Sequence, residues 1–153
     1  MHTYTATIRW ACDGDFQKGR YSRAHDWAFD GGAIVRASAS PLSVPLPYSD
    51  EAAVDPEEAF VAAVSSCHML WFLDLAKRAG FQVETYSDTA KGLMEGDPAP
   101  WVTRVDLFPV IGWTGQAPTS EQIEALHHDA HARCFIANSI KSEVVVNSTK
   151  SPE

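Results

Sequence analysis

The stretch Asp55 to Gly80, DPEEAFVAAVSSCHMLWFLDLAKRAG, most limits what this chain can fold into. Asp55 can cap a first helical turn, Pro56 fits the first helical position and Glu58 stands where the acid of a capping box belongs. Gly80 supplies a left-handed stop, so both ends of a helix are written locally. Between them Ala59 to Val64 and Met69 to Leu73 leave almost no polar face, which predicts a helix buried nearly all round. Into that apolar cylinder the chain sets Ser65, Ser66, Cys67 and His68, groups that packing alone does not ask for. A core built on such a helix needs a chain of domain size, and 153 residues with 45% hydrophobic content supply one. No linker-like break divides it, so 1–153 reads as a single domain.

The rest of the chain reads as strands arranged around that helix. Residues 3 to 10 alternate, with Tyr4, Ala6, Ile8 and Trp10 on one side, the period of a half-buried strand. A second alternating run places Tyr21, Arg23, His25, Trp27 and Phe29 on one face, and Asp30 to Gly32 turns it into a short third strand over Ala33 to Ala37. Ser38 to Val54, carrying Pro41, Pro45 and Pro47, predicts an extended loop leading to the helix. Its Leu42, Val44, Leu46 and Tyr48 are candidates to line a pocket mouth or to cover a sheet edge. After Gly80, Phe81 to Gly92 and Trp101 to Trp113 read as two strands joined across the turn at Gly96 to Pro100. Thr119 and Gln122 form a second capping box, opening a helix with Ile123, Leu126, Ala130 and Cys134 at helical spacing. Ile140 to Val146 closes the order as a β-branched strand before a polar tail. The expected fold is α+β, β-β-β-α-β-β-α-β.

Charge and cysteine usage narrow the function. A formal net charge of −8 disfavours nucleic acid or an anionic membrane as partner, since phosphate binding relies on clustered Lys and Arg. No leader or membrane span is evident, and the expected compartment is the cytoplasm. Cys12, Cys67 and Cys134 are too few and too scattered for a disulfide framework, and an odd count in a reducing compartment predicts free thiols.

Two chemistries compete for Cys134. With His127 and His131 it forms a helical cluster at three- to four-residue spacing that could offer nitrogen and sulfur to zinc. Against that, His127 and His128 in a polar helix read as a solvated face. The other chemistry is thiol redox work, in which Cys67 attacks a peroxide oxygen, becomes a sulfenic acid and is condensed by Cys134 into a disulfide. That needs a cation beside the thiolate, a second thiol within bridging range and an apolar seat for the substrate. Arg23, on the face shared with Tyr21, His25 and Trp27, is the leading candidate cation; Arg20 and Arg36 are alternatives. Glu57 lies ten residues before Cys67, about 15 Å along the helix axis. It cannot touch its own Cys67, so a Glu57 that orients the cation comes from a second copy of the chain. A third reading is a hydrophobic small-molecule or lipid binding module in which the cysteines only pack. The roles of Cys12 and His68 stay open.

At these residues the sequence resembles the osmotically inducible protein C and organic hydroperoxide resistance family, OsmC/Ohr. The resemblance rests on DPEEAFVAAVSSC, on a second cysteine 67 residues after the first, and on an element order covering nearly the whole chain. Phe135 follows the second cysteine where the family commonly has proline, and CHMLWFL is more aromatic than usual. The resemblance implies an intertwined homodimer and a cofactor-free peroxidase acting on organic hydroperoxides, with an external thiol or dithiol as reductant. It also implies Cys67 as peroxidatic cysteine, Cys134 as resolving cysteine and Glu57 as the acid that holds the arginine.

Overall fold

The computed structural model describes residues 1–148; of the polar tail expected after Val146, residues 149–153 lie outside them. The chain divides into two compact units, Met1–Ala59 and the part from Phe60 onward.

In the first unit β1 (Ala6–Arg9), β2 (His25–Phe29) and β3 (Ile34–Ala37) form an antiparallel meander, pairing Ile8 with Trp27 and Trp27 with Val35. Between β1 and β2 the chain makes a small lobe closed by a bridge from Asp15 to Arg20. Phe16 stacks on Tyr21 at 5.0 Å and Trp10 meets Tyr21 edge-on at 5.4 Å. The proline-rich loop is a run of tight turns rather than an extended segment. Ser43 and Val44 donate to the Ser40 carbonyl, Tyr48 to Pro45 and Ala53 to Asp50. The buried Ser38 hydroxyl accepts from the Asp50 amide at 2.9 Å, and Val54 bridges back to Ala37. Leu42 and Leu46 are exposed, so neither covers a sheet edge.

The first helix, α1 (Pro56–Arg78), begins and ends where its sequence predicts. Asp55 accepts from the Glu58 amide at 2.7 Å and Glu58 accepts from the Asp55 amide at 3.1 Å, a reciprocal capping box. Gly80 takes φ +85°, which a side chain would resist.

The expected burial of α1 is corrected. Its fully buried residues are Val64, His68, Phe72 and Ala76, one row at four-residue spacing, whereas Leu70 is 60% exposed. A uniformly apolar helix does not declare which stripe meets the sheet, and in the single chain only one does.

The second unit adds the strands β4 (Gln82–Asp88), β5 (Lys91–Glu95), β6 (Trp101–Leu107) and β7 (Pro109–Thr114), then α2 (Ser120–Arg133), a 3-10 turn over Ala137–Ser139 and β8 (Glu143–Val146). The two long strands expected between the helices are thus each divided in two. β4 pairs with β7 and β5 with β6, both antiparallel, so the hairpin survives as two ladders; β8 lies parallel to β6. The break falls where Pro109 and Asp88 meet. Pro109 lacks an amide proton, and the Phe108 amide donates instead to the Asp88 carboxylate at 2.6 Å. The other Asp88 oxygen accepts from the Ser65 hydroxyl at 2.5 Å, tying α1 to the same point.

The core of this unit has two apolar centres along the buried row of α1. Val64 packs with Val105 and Leu107, and Phe72 and Ala76 pack with Ala130 of α2. His68 stands between them.

A thiol pair and a histidine pair between two helices

Cys67 and Cys134, remote in sequence, are brought together. Cys67 lies mid-way along α1, partly buried; Cys134 caps the C-terminus of α2 and is 1% exposed. The two thiols lie close enough to act on each other's ionisation, and neither is in a disulfide. Thr119 and Gln122 form the expected capping box at the start of α2, which fixes the phase of the helix that ends at Cys134. There φ, −64°, is still helical and ψ, 112°, is not, so the chain after Cys134 leaves the helix. The Cys134 sulfur also accepts from the Ala137 amide at 3.4 Å. Burial first, and then the neighbouring Cys67 thiol, push the Cys134 thiol up to about 11. It is therefore protonated at neutral pH.

The candidate cation belongs to the first unit and is held at several points. Arg23 donates through Nη1 to the Gly19 and Tyr21 carbonyls at 3.1 and 2.6 Å, and its guanidinium lies 3.8 Å from the Tyr21 ring centroid. Its amide donates to the Tyr48 carbonyl at 2.9 Å. The Trp27 indole N–H can only donate, so at 2.9 Å it fixes His25 Nε2 as the acceptor. His25 Nδ1 then carries the proton given to the Arg23 carbonyl at 2.8 Å. Arg36, by contrast, is exposed and spans Asp26 and Asp50 at 4.0 and 3.7 Å. Arg20 donates its amide to Asp15, and its side chain is exposed. Glu57 is half-buried in the first turn of α1. Cys12 is exposed, its thiol donating to the Gly14 carbonyl at 3.4 Å.

The solvated face expected for His127 is corrected. His127 is 3% exposed and shares a 3.0 Å hydrogen bond, Nδ1 to Nε2, with His68, which is 1% exposed. The rings are nearly parallel, and His127 also stacks on Phe72 at 4.3 Å. Burial, then His127 and His131, lower His68 from 6.5 to about 3; burial lowers His127 to about 4. Of His127 and His128, the second alone faces solvent, 83% exposed beside Asp129. Reading the polar residues around His127 concealed this pair. The four-residue spacing of Val64, His68, Phe72 and Ala76 was the signal that could have found half of it. Among the described residues no three His, Cys, Asp or Glu side chains converge to hold a metal, and His127 turns to His68 instead of completing a zinc set with His131 and Cys134.

With this geometry in view, the comparisons are specific. The family described as OsmC-like protein matches residues 49–149. The solved structure of an OsmC-like protein of unknown function from Vibrio cholerae is 48% identical with a TM-score of 0.92, over 96% of this chain and 99% of that one. An organic hydroperoxide resistance protein from Elizabethkingia anophelis shares the fold at 19% identity and TM-score 0.70, over 95% and 93% of the two chains. So does OhrB, an organic hydroperoxide resistance protein of Bacillus subtilis, at 17% and 0.63, over 95% and 96%. No curated protein matches. A family match over most of the chain and a near-half-identical structure of the same length agree: the chain is an α+β protein of the OsmC/Ohr family.

Proposed function

We propose that this protein is a cofactor-free thiol peroxidase that reduces organic hydroperoxides in the cytoplasm, with Cys67 as the attacking thiol and Cys134 as the resolving one. The observation that carries the reading is the approach of two free thiols, one from α1 and one from the end of α2, close enough to act on each other's ionisation. A buried thiol held protonated up to about 11 is a poor nucleophile, which favours Cys67 for the first attack and leaves Cys134 for the second. The Cys67 thiolate attacks the hydroperoxide; an S–O bond forms, the O–O bond breaks, and the alkoxide leaves as alcohol after taking a proton. The Cys134 sulfur then attacks the sulfenic sulfur; an S–S bond forms, the S–O bond breaks, and the oxygen leaves as water. An external thiol or dithiol reopens the disulfide.

Arg23, fixed by two carbonyls and an aromatic ring, is the cation in this reading. Glu57 orients it across a homodimer. Support for the substrate class comes from relatives of the same fold described as organic hydroperoxide resistance proteins.

Cumene hydroperoxide consumption with a dithiol reductant tests this directly. Without the dithiol, wild type is expected to lose two thiols per stoichiometric peroxide and to yield a Cys67–Cys134 crosslink by mass spectrometry; with it, Cys67→Ser consumes none. Undiminished consumption by folded Cys67→Ser would overturn the assignment. Bound lipid with no thiol loss in wild type would favour a hydrophobic binding module.

A further inference from the structure

Beside the thiols a second set of side chains meets between α1 and the end of α2, and the peroxidase reading does not use it. Trp71 lies four residues after Cys67 on α1, so the two side chains share one face a turn apart. Helical Cα–Cβ bonds tilt toward the N-terminus, which leans the indole back toward Cys67. Phe135 directly follows Cys134 and sets its ring edge-on to Trp71, with centroids 5.4 Å apart and planes at 85°. Arg133, directly before Cys134, holds its guanidinium 6.0 Å from the centroid of the same indole. Both sequence neighbours of Cys134 therefore reach Trp71, one turn along α1 from the thiol that Cys134 approaches. All five residues belong to the second unit.

The fold itself needs neither the ring nor the cation. Phe135 is 68% exposed, an apolar ring left in water. It is nonetheless held in place, because the Asn138 amide donates to the Cys134 carbonyl at 3.0 Å and the Ser139 hydroxyl to the Phe135 carbonyl at 2.7 Å. Arg133 is also exposed, and among the described residues its guanidinium has no carboxylate partner. Asp74, the acid nearest to Trp71 in sequence, is held by Arg78 at 2.7 Å, and Asp129 stands beside His128. On a chain of formal net charge −8, two fixed rings with an unpaired cation at their edge complement a ligand with an apolar body and a negative charge.

We infer that Trp71, Phe135 and Arg133 select the substrate of the thiol pair, favouring apolar hydroperoxides that carry an anionic group over neutral ones, an inference that rests on the peroxidase reading. The apolar body lies in the angle between the two rings, beside Cys67, and its carboxylate pairs with Arg133 on the solvent side. A guanidinium this exposed is screened by water, so the preference it sets is modest and fades with added salt.

Cumene hydroperoxide bearing a para carboxylate, compared with its methyl ester, isolates the charge. Wild type is expected to show a kcat/KM about fivefold higher for the acid at low salt, and the ratio is expected to fall toward unity at high salt. In Arg133→Gln the ratio is expected within about twofold of unity at any salt, with Arg133→Lys keeping part of the preference. Equal values for acid and ester in wild type, or a ratio that survives in Arg133→Gln, would overturn the role of Arg133. Phe135→Ala is expected to raise KM about tenfold for both aryl substrates and less for tert-butyl hydroperoxide, which has no ring. A change equal for all three would overturn the seat, as would a KM unmoved while sedimentation shifts toward monomer, which would assign the ring to an interface between copies. Calorimetry with 4-isopropylbenzoate, which has no peroxide bond, reads the seat without turnover; its dissociation constant is expected to be about fivefold weaker in Arg133→Gln. Wild type that binds it in this way but consumes no hydroperoxide would overturn the peroxidase reading alone. Hydroperoxide consumption with neither the ratio nor the binding would overturn the substrate selection alone, and the absence of all three would overturn both.

Discussion

Two residues of α1, Cys67 and His68, look toward two of α2, and the consequences for acid stability follow from the second. His68 and His127 have folded pKa values of about 3 and 4 against 6.5 when free, so between those limits the unfolded chain binds more protons than the folded one. Stability is then fully present above pH 6.5, falls as pH drops from 6.5 toward the folded values of about 4 and 3, and levels off below them. The loss from pH 6.5 to 4 is expected to be on the order of 3 kcal/mol or more, at about 1.4 kcal/mol per pKa unit. Guanidinium unfolding across that range checks it, with His127→Asn as the comparison because other carboxylates titrate in the same window. The variant should show a shallower fall; equal slopes would remove the histidines as the cause.

At the scale of elements, the Asp88 carboxylate is a joint between α1 and the divided strands. It serves the Phe108 amide and the Ser65 hydroxyl together. Asp88→Ala strands both donors and is expected to cost about 3 kcal/mol by chemical denaturation, with Asp88→Asn costing less because one acceptor remains. Equal losses would mean that one remaining acceptor keeps nothing of the joint, and no loss in Asp88→Asn would mean that the side chain only fills space. This joint also marks the limit of what the sequence discloses. The ends of α1 and the start of α2 were legible because Asp55, Glu58, Gly80, Thr119 and Gln122 act through backbone groups three or four residues away. The strand breaks were not, because Asp88 and Phe108 are partners across twenty residues. For the same reason the meeting of Cys67 and Cys134 could be anticipated as a requirement of the chemistry, whereas His127, surrounded in sequence by polar neighbours, reveals its burial only through the packing of Phe72 and Ala130.

For the molecule as a whole, the open faces of α1 bear on assembly. Leu70 is 60% exposed on a helix with an apolar sequence, an arrangement that favours cover by a second copy under the homodimer reading. Leu70→Asp is expected to shift sedimentation toward monomer by raising the dimer dissociation constant at least tenfold, about 1.4 kcal/mol. An unchanged sedimentation profile would place any interface elsewhere.

The parallel seating of β8 beside β6 has a further consequence, for biosynthesis. β5 and β6 can pair as soon as their turn has left the ribosome, but the sheet they belong to is completed only by β8. Ser142 then donates to the Val102 carbonyl and the Asn147 side chain to Asp106. Cys134 lies between α2 and that last strand. A nascent chain therefore carries Cys67 without Cys134 throughout the emergence of β4 to β7, and under the peroxidase reading acquires its resolving thiol only near the end of its own folding.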